Sequence, residues 1–152
     1  MNPDSSTPQT ALAMTTNERM ARNKEILLDA LKHAGAIRAG VAYHGSGDEG
    51  TDQGASASDA HNQAVDLSST VTLFCERRDH EAGQWKTSIA QQDALLDIAL
   101  SDYAMEAVYQ HHRGWENNEG GYGEVIFDCE AGTVRIEHFD YFVESEYTET
   151  EL

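Results

Sequence analysis

The periodicity of apolar residues predicts an α+β fold: a helix, three strands, a second helix and a two-stranded C-terminal hairpin. The helices are expected on one face of a mostly antiparallel sheet. Three observations carry this. Apolar residues recur at helical spacing near residues 20–34 and 89–108, and they alternate with polar ones near 37–44 and 71–76. Two short apolar runs then flank a glycine-bearing turn close to the C-terminus.

In chain order, residues 1–14 are rich in Ser, Thr, Asn and Pro and are expected to form a disordered tail ahead of a single domain over 15–147. Thr15 and Glu18 have the spacing of a capping box, and Leu27, Ala30, Leu31 and Ala34 share one helical face with Met20 two turns earlier. Gly35 stops this helix. Ile37, Ala39, Val41 and Tyr43 alternate with Arg38, Gly40, Ala42 and His44, the period of a strand with one buried face. A glycine-rich loop follows over 45–54, then a poor strand near 53–59, and a third strand over 69–76.

Residues 77–83 read as a charged linker. Ser88 and Gln91 have capping-box spacing and are expected to open the second helix, which runs through Leu95, Leu100, Tyr103 and Val108 until Gly114 ends it. Val125-Ile126-Phe127 and Val134-Arg135-Ile136-Glu137 flank Asp128-Cys129-Glu130-Ala131-Gly132 as a hairpin, and residues 148–152 form an acidic end.

Acids outnumber bases 27 to 10, a net charge of −17, with a mean hydropathy of −0.57. The excess is uneven: residues 114–152 hold eleven acids against one base, Arg135. A field of this sign repels nucleic acid and anionic membrane, so neither is an expected direct partner, whereas a basic protein is. No apolar run is long enough for a membrane span. Two cysteines, Cys75 and Cys129, and no apolar leader fit a reduced, cytoplasmic protein with buried thiols.

The densest chemistry lies in His111-His112-Arg113-Gly114-Trp115-Glu116-Asn117-Asn118-Glu119-Gly120-Gly121-Tyr122-Gly123-Glu124. A connection that only reversed the chain would need neither the tryptophan nor so many polar groups. Structurally, Trp115 and Tyr122 would pin the loop to the core, while Asn117 and Asn118 bond backbone groups. Chemically, His112, Glu116 and Glu119 are metal-ligand types, and with Asp48 they define an alternative, a metal-dependent hydrolase. Gly114 should break the helix between His112 and Glu116, however, and no dense ligand motif occurs; no cofactor is expected.

The 45–54 loop carries Asp48, Glu49 and Asp52, either as solvated acids of a hairpin turn or as a cation site. If the two glycine-rich loops sit at one sheet edge, Asp48, Glu49, His112, Trp115, Glu116, Asn117 and Glu119 form an acidic, aromatic-bottomed patch. That patch suits a basic peptide, a cation or a small ligand. Asn118, Tyr122, Glu124, Glu144 and Glu146 extend the candidate binding surface toward the acidic C-terminus.

The run Gly114 to Glu124, with His112 before it and Gly45-Ser46-Gly47-Asp48-Glu49-Gly50 earlier, resembles an uncharacterised domain-of-unknown-function family carried with auxiliary genes of bacterial plasmids and integrative elements. The resemblance covers residues 20–147, fits poorly over 53–70, and departs at Arg113, where glycine is expected. It implies an accessory protein of a mobile genetic element. Such elements often carry inhibitors of host defence. Acids spaced along strands with aromatics between them imitate a phosphate backbone, so the expected function is binding a basic partner protein. A restriction or CRISPR-type enzyme blocked by mimicry is its specific form.

Overall fold

The structure, a computed structural model, describes residues 14–46, 49–117, 119–142 and 145–152, and only the backbone of Glu49. Most of the expected N-terminal tail, residues 1–13, lies outside this range. The elements run α1 (Thr16–His33), β1 (Arg38–Ser46), β2 (Glu49–Ser58), β3 (Thr70–Glu81), β4 (Gln84–Leu95), α2 (Leu96–His111), β5 (Gly121–Asp128) and β6 (Thr133–Asp140). Two helices and six strands in antiparallel sheets make an α+β protein. The strands form two sheets: a four-stranded one in the order β2-β1-β5-β6 and a two-stranded ribbon, β3-β4.

α1 opens on the capping box, with Glu18 N–H donating to the Thr15 hydroxyl at 3.1 Å and Thr15 N–H donating to the Glu18 carboxylate at 3.0 Å. Gly35, at φ +91°, follows its end. The face bearing Leu27, Leu28 and Leu31 is buried against α2 and β3. Two polar contacts fix that docking. The Asn23 side-chain amide accepts from Phe74 N–H and donates to Phe74 C=O, each at 2.9 Å, pairing with β3 as a neighbouring strand would. Arg19, almost fully buried, donates from Nη1 to Glu106 on α2 at 2.9 Å, and a second contact from Nη2 completes a bidentate ion pair.

Three expectations are corrected between the helices. There are four strands rather than three, because residues 84–95 form β4 and the supposed linker 77–83 is the end of β3 plus its turn. Ala82 (φ +51°) and Gly83 (φ +79°) make the two-residue turn, both central residues left-handed as a type I′ hairpin requires. The ribbon's outer half is exposed on both faces, so no apolar alternation marks it.

Ser88 and Gln91 cap nothing; they lie inside β4. α2 begins at Leu96 without a side-chain cap, because Leu96 N–H donates to Ser69 C=O (2.7 Å) and Asp97 N–H to Leu67 C=O (3.1 Å). The loop before β3 thus supplies the acceptors that a capping residue would otherwise provide.

The third correction concerns residues 45–54, which are mostly strand. Ser46 pairs with Glu49 across a hairpin whose tip lies outside the described residues. A bulge follows, with Gln53 and Gly54 opposite the single residue Ala42. Gly54 has φ +86° and donates its N–H to the Asp52 carboxylate at 2.9 Å.

β1 shows its alternation plainly, with Ala39, Val41, Tyr43 and Gly45 buried. They join Val125 and Phe127 of β5 and Leu96, Leu100 and Val108 of α2 in one core. Tyr103 of α2 packs on Phe127 with centroids 5.9 Å apart. The C-terminal hairpin turns on Asp128, whose carboxylate accepts from Glu130 N–H and Ala131 N–H, with Gly132 at φ +70°. Cys75 and Cys129 are free. No helix among the described residues is long and apolar enough to cross a membrane.

Candidate functional site

Antiparallel register decides what meets what. Tyr43, Gly123 and His138 stand opposite one another across β1, β5 and β6, and Gly45, Gly121 and Asp140 form the next such row. Paired residues project to the same face. With no side chain on Gly123, the Tyr43 hydroxyl reaches over the central strand to His138 Nδ1 at 2.5 Å. His138 Nε2 lies 2.8 Å from the Asp140 carboxylate. Asp140 accepts, so Nε2 carries the proton and Nδ1 accepts from the phenol. Burial, then the charge of Asp140, pushes the Tyr43 phenol up to about 12, so it stays protonated and donating.

The glycines of the central stretch follow from this row. A Cβ at Gly123 would come within 2.5 Å of the Tyr43 hydroxyl, and one at Gly121 within 3.3 Å of the His138 ring. Gly120, at φ +81°, lies so close to β1 that a Cβ would sit 2.0 Å from the Gly45 carbonyl oxygen. Sequence reasoning assigned these glycines to chain reversal. Two of them instead lie within β5.

Three ring systems stack around the buried histidine. His112 lies on His138 with centroids 4.1 Å apart and planes 20° from parallel. Trp115, 4% exposed, meets Tyr43 edge-on at 4.9 Å and the edge of His138 at 6.4 Å. Between them the chain advances by successive turns: Trp115 N–H to His112 C=O, Asn117 N–H to Gly114 C=O, and Gly120 N–H to Asn117 C=O. Gly114 takes the left-handed turn position at φ +79°. Arg113 therefore needs no glycine.

Helix α2 ends at His111, so His112 and Glu116 share no helical face despite their spacing. Among the described residues no group of three or more His, Cys, Asp or Glu side chains could hold a metal ion.

The structure brings the two glycine-rich segments together. Trp115 and Glu116 pack on Gly50, where a Cβ would come within 2.6 Å of the indole and 3.0 Å of the Glu116 Cβ. A groove of about 590 Å³ opens beside them, lined by His44, Ser46, Gly50, Thr51, Tyr109 and Glu116. Glu116 Oε2 and the Trp115 indole N–H are buried with no hydrogen-bond partner among the described residues. Burial, then the Glu116 charge, raises the Tyr109 phenol above its ordinary value. Asn117 and Glu119 line a smaller cleft with His112, Arg113, Asp140 and Tyr141.

Tyr122 and Glu124 belong to the opposite face of the sheet. There Tyr122 stacks on Phe139 at 4.9 Å, Tyr141 follows at 5.3 Å, and His44 meets Tyr141 at 6.0 Å. Tyr122, Phe139 and Tyr141 are 40–53% exposed. Glu146 lies in the exposed segment after β6, away from the grooves. Asp48, Asn118, Glu144 and the Glu49 side chain fall outside the described residues. Asp52 serves the bulge.

Sequence reasoning missed Tyr43, His138, Asp140, Tyr109 and Phe139. The one available signal was Tyr43 and His138 at strand positions that register could set opposite a glycine.

His112 carries a pH prediction. Burial foremost, then His138, holds its pKa below the ordinary 6.5, against an opposing pull from Asp140; His111 adds a smaller lowering. The unfolded chain thus binds this proton more readily than the native one. Stability from this group is complete above about pH 6.5 and is lost as pH falls through the lower, native value. Denaturation midpoints measured from pH 7.5 to 5.5 should decline in the native chain and flatten in His112→Gln.

The fold and its site define an α+β protein built on an aromatic–histidine cluster between two glycine-rich segments, with a second aromatic row on the open face of the sheet. The chain belongs to the family of unknown function DUF6878, whose pattern matches residues 19–152. No curated protein matches the chain, and no solved structure does.

Proposed function

We propose that this chain is an acidic protein-binding factor that docks a basic partner on the sheet face built by β5, β6 and the segment that follows. The observation that carries this is the exposed row Tyr122–Phe139–Tyr141. Contiguous exposed aromatics are uncommon on a protein that has no partner, and aromatic residues supply much of the binding energy at interfaces.

Charge chooses the partner. Residues 114–152 hold eleven acids, and their only base, Arg135, leans on Glu137 at 3.5 Å. Seven of the ten bases lie instead on α1 and the β3–β4 ribbon. A basic groove would be steered to the acidic pole and a nucleic acid repelled from it. In its specific form the chain is a cytoplasmic accessory factor of a plasmid or integrative element. It blocks a restriction or CRISPR-type enzyme by occupying the groove that holds nucleic acid.

A competition assay tests this. The purified chain is titrated into a panel of such enzymes bound to labelled duplex or guide complex. The chain should displace nucleic acid from at least one enzyme. The triple variant Tyr122→Ala, Phe139→Ala, Tyr141→Ala should be weaker by about 100-fold, as loss of two or three interface anchors implies. A panel in which nothing is displaced would overturn the inhibitor reading. Equal potency of the triple variant would overturn the docking face.

A further inference from the structure

The groove between the β1–β2 hairpin and the end of α2 is distinct from the aromatic row, and its chemistry is more selective. Its wall includes a carboxylate oxygen, Glu116 Oε2, that is shielded from solvent and has no donor among the described residues. A buried acceptor without a donor is costly, and most so when charged. Tyr109, 42% exposed, forms an aromatic wall, and Ser46 and Thr51 bring hydroxyl oxygens. The last turn of α2, which contains Tyr109, directs the negative end of the helix dipole toward this region. No lysine or arginine occurs among the groove's described lining residues.

We infer that this groove is a binding site for a guanidinium group, the side chain of an arginine presented by the basic partner. The inference rests on the protein-binding reading above and names the anchor that reading lacks. A metal ion fits poorly, since a single carboxylate is on offer and no cluster of three ligands exists among the described residues. A guanidinium fits on each count. Its N–H groups satisfy the orphaned oxygen and the hydroxyls, its plane stacks on a phenol ring, and its weak hydration eases entry. His44 lines the groove and also touches Tyr141, so a partner lying on the aromatic row can place one arginine here.

The test uses the full chain and an amide-resolved NMR titration with three probes: acetyl-Gly-Arg-Gly-amide, its citrulline twin and methylguanidinium. The arginine peptide should shift the amides of Gly50, Thr51, Tyr109 and Glu116 and bind at least ten-fold more tightly than the citrulline twin. Glu116→Gln, with its thermal midpoint checked against the native chain, should weaken the peptide at least ten-fold. Tyr109→Leu should weaken it independently, which keeps the test valid should either variant be misfolded.

Equal binding of the citrulline twin, or unchanged affinity in a folded Glu116→Gln, would overturn the site. Methylguanidinium binding as tightly as the peptide would overturn its assignment to a partner's side chain. The two proposals separate cleanly. Arginine-dependent shifts in the groove, with no enzyme displaced in the competition assay, would uphold this site and sink the inhibitor reading alone.

Discussion

Gly120→Ala should destabilise the protein by about 4 kcal/mol or more, in the range reserved for a specific structural collision. The new methyl group would sit 2.0 Å from the Gly45 carbonyl oxygen and 2.6 Å from the Ser46 Cα, both backbone atoms that cannot rotate away. Relief requires β1 and the start of β5 to separate, which breaks the Gly45–Gly121 pairing and tilts the bed beneath Tyr43 and His138. The residue also has φ +81°, which adds about 1 kcal/mol for any side chain. Gly132→Ala separates the two contributions. Gly132 has φ +70° but nothing within 4 Å of the added Cβ, so only the conformational part applies. Thermal melts should show a fall of roughly 10 °C or more for Gly120→Ala and only a few degrees for Gly132→Ala. Equal shifts would show that close approach is not what holds this position to glycine.

Trp115→Ala should cost about 3–5 kcal/mol, the usual range for removing a buried large aromatic. The indole is the hub of the site: Tyr43 lies against it at 4.9 Å, Tyr109 and His138 each at 6.4 Å, and Gly50 beneath it. Removing it leaves a cavity between the two glycine-rich segments and unseats Glu116. Trp115→Phe should cost far less, about 1 kcal/mol, for a reason peculiar to this site. The indole N–H has no acceptor among the described residues, so phenylalanine loses ring area but also sheds an unsatisfied donor. Urea denaturation of both variants checks the contrast. Similar losses in the two would mean that the indole nitrogen has a partner.

The parts of the fold legible in sequence were those where one local signal met one burial pattern. Thr15 and Glu18 sit before a run with a single apolar face, and both capping bonds form. The same spacing at Ser88 and Gln91 misled, because a four-residue signature does not say whether its segment is helical. The true start of α2 is capped by carbonyls some thirty residues earlier in the chain, a tertiary solution invisible locally. β4 was hidden for another reason: it pairs with one exposed strand and has little apolar face to display.

The candidate site divides along the same line. That His112, Trp115 and Glu116 share a region with the 45–54 segment could be read from composition, since tryptophan and glycine together imply close packing. Tyr43–His138–Asp140 could not, because it arises from the register of three strands 80 residues apart in part, and a histidine in an alternating strand looks like any polar residue. Placing Tyr122 and Glu124 on the opposite face from Trp115 likewise needed the register of β5. The aromatic row emerged only when Phe139 and Tyr141 were set beside Tyr122.

The central claim, that the acidic aromatic pole is a contact surface for something positive, meets its most direct test in site-resolved NMR with polyarginine as the probe. Shifts should concentrate on Tyr122, Glu124, Glu137, Phe139 and Tyr141, with Glu116 joining them, while α1 and the β3–β4 ribbon stay silent. They should fade by about 0.5 M salt, where the screening length drops below 5 Å. Perturbations spread evenly over the molecule, or centred on α1 and the ribbon, would contradict it.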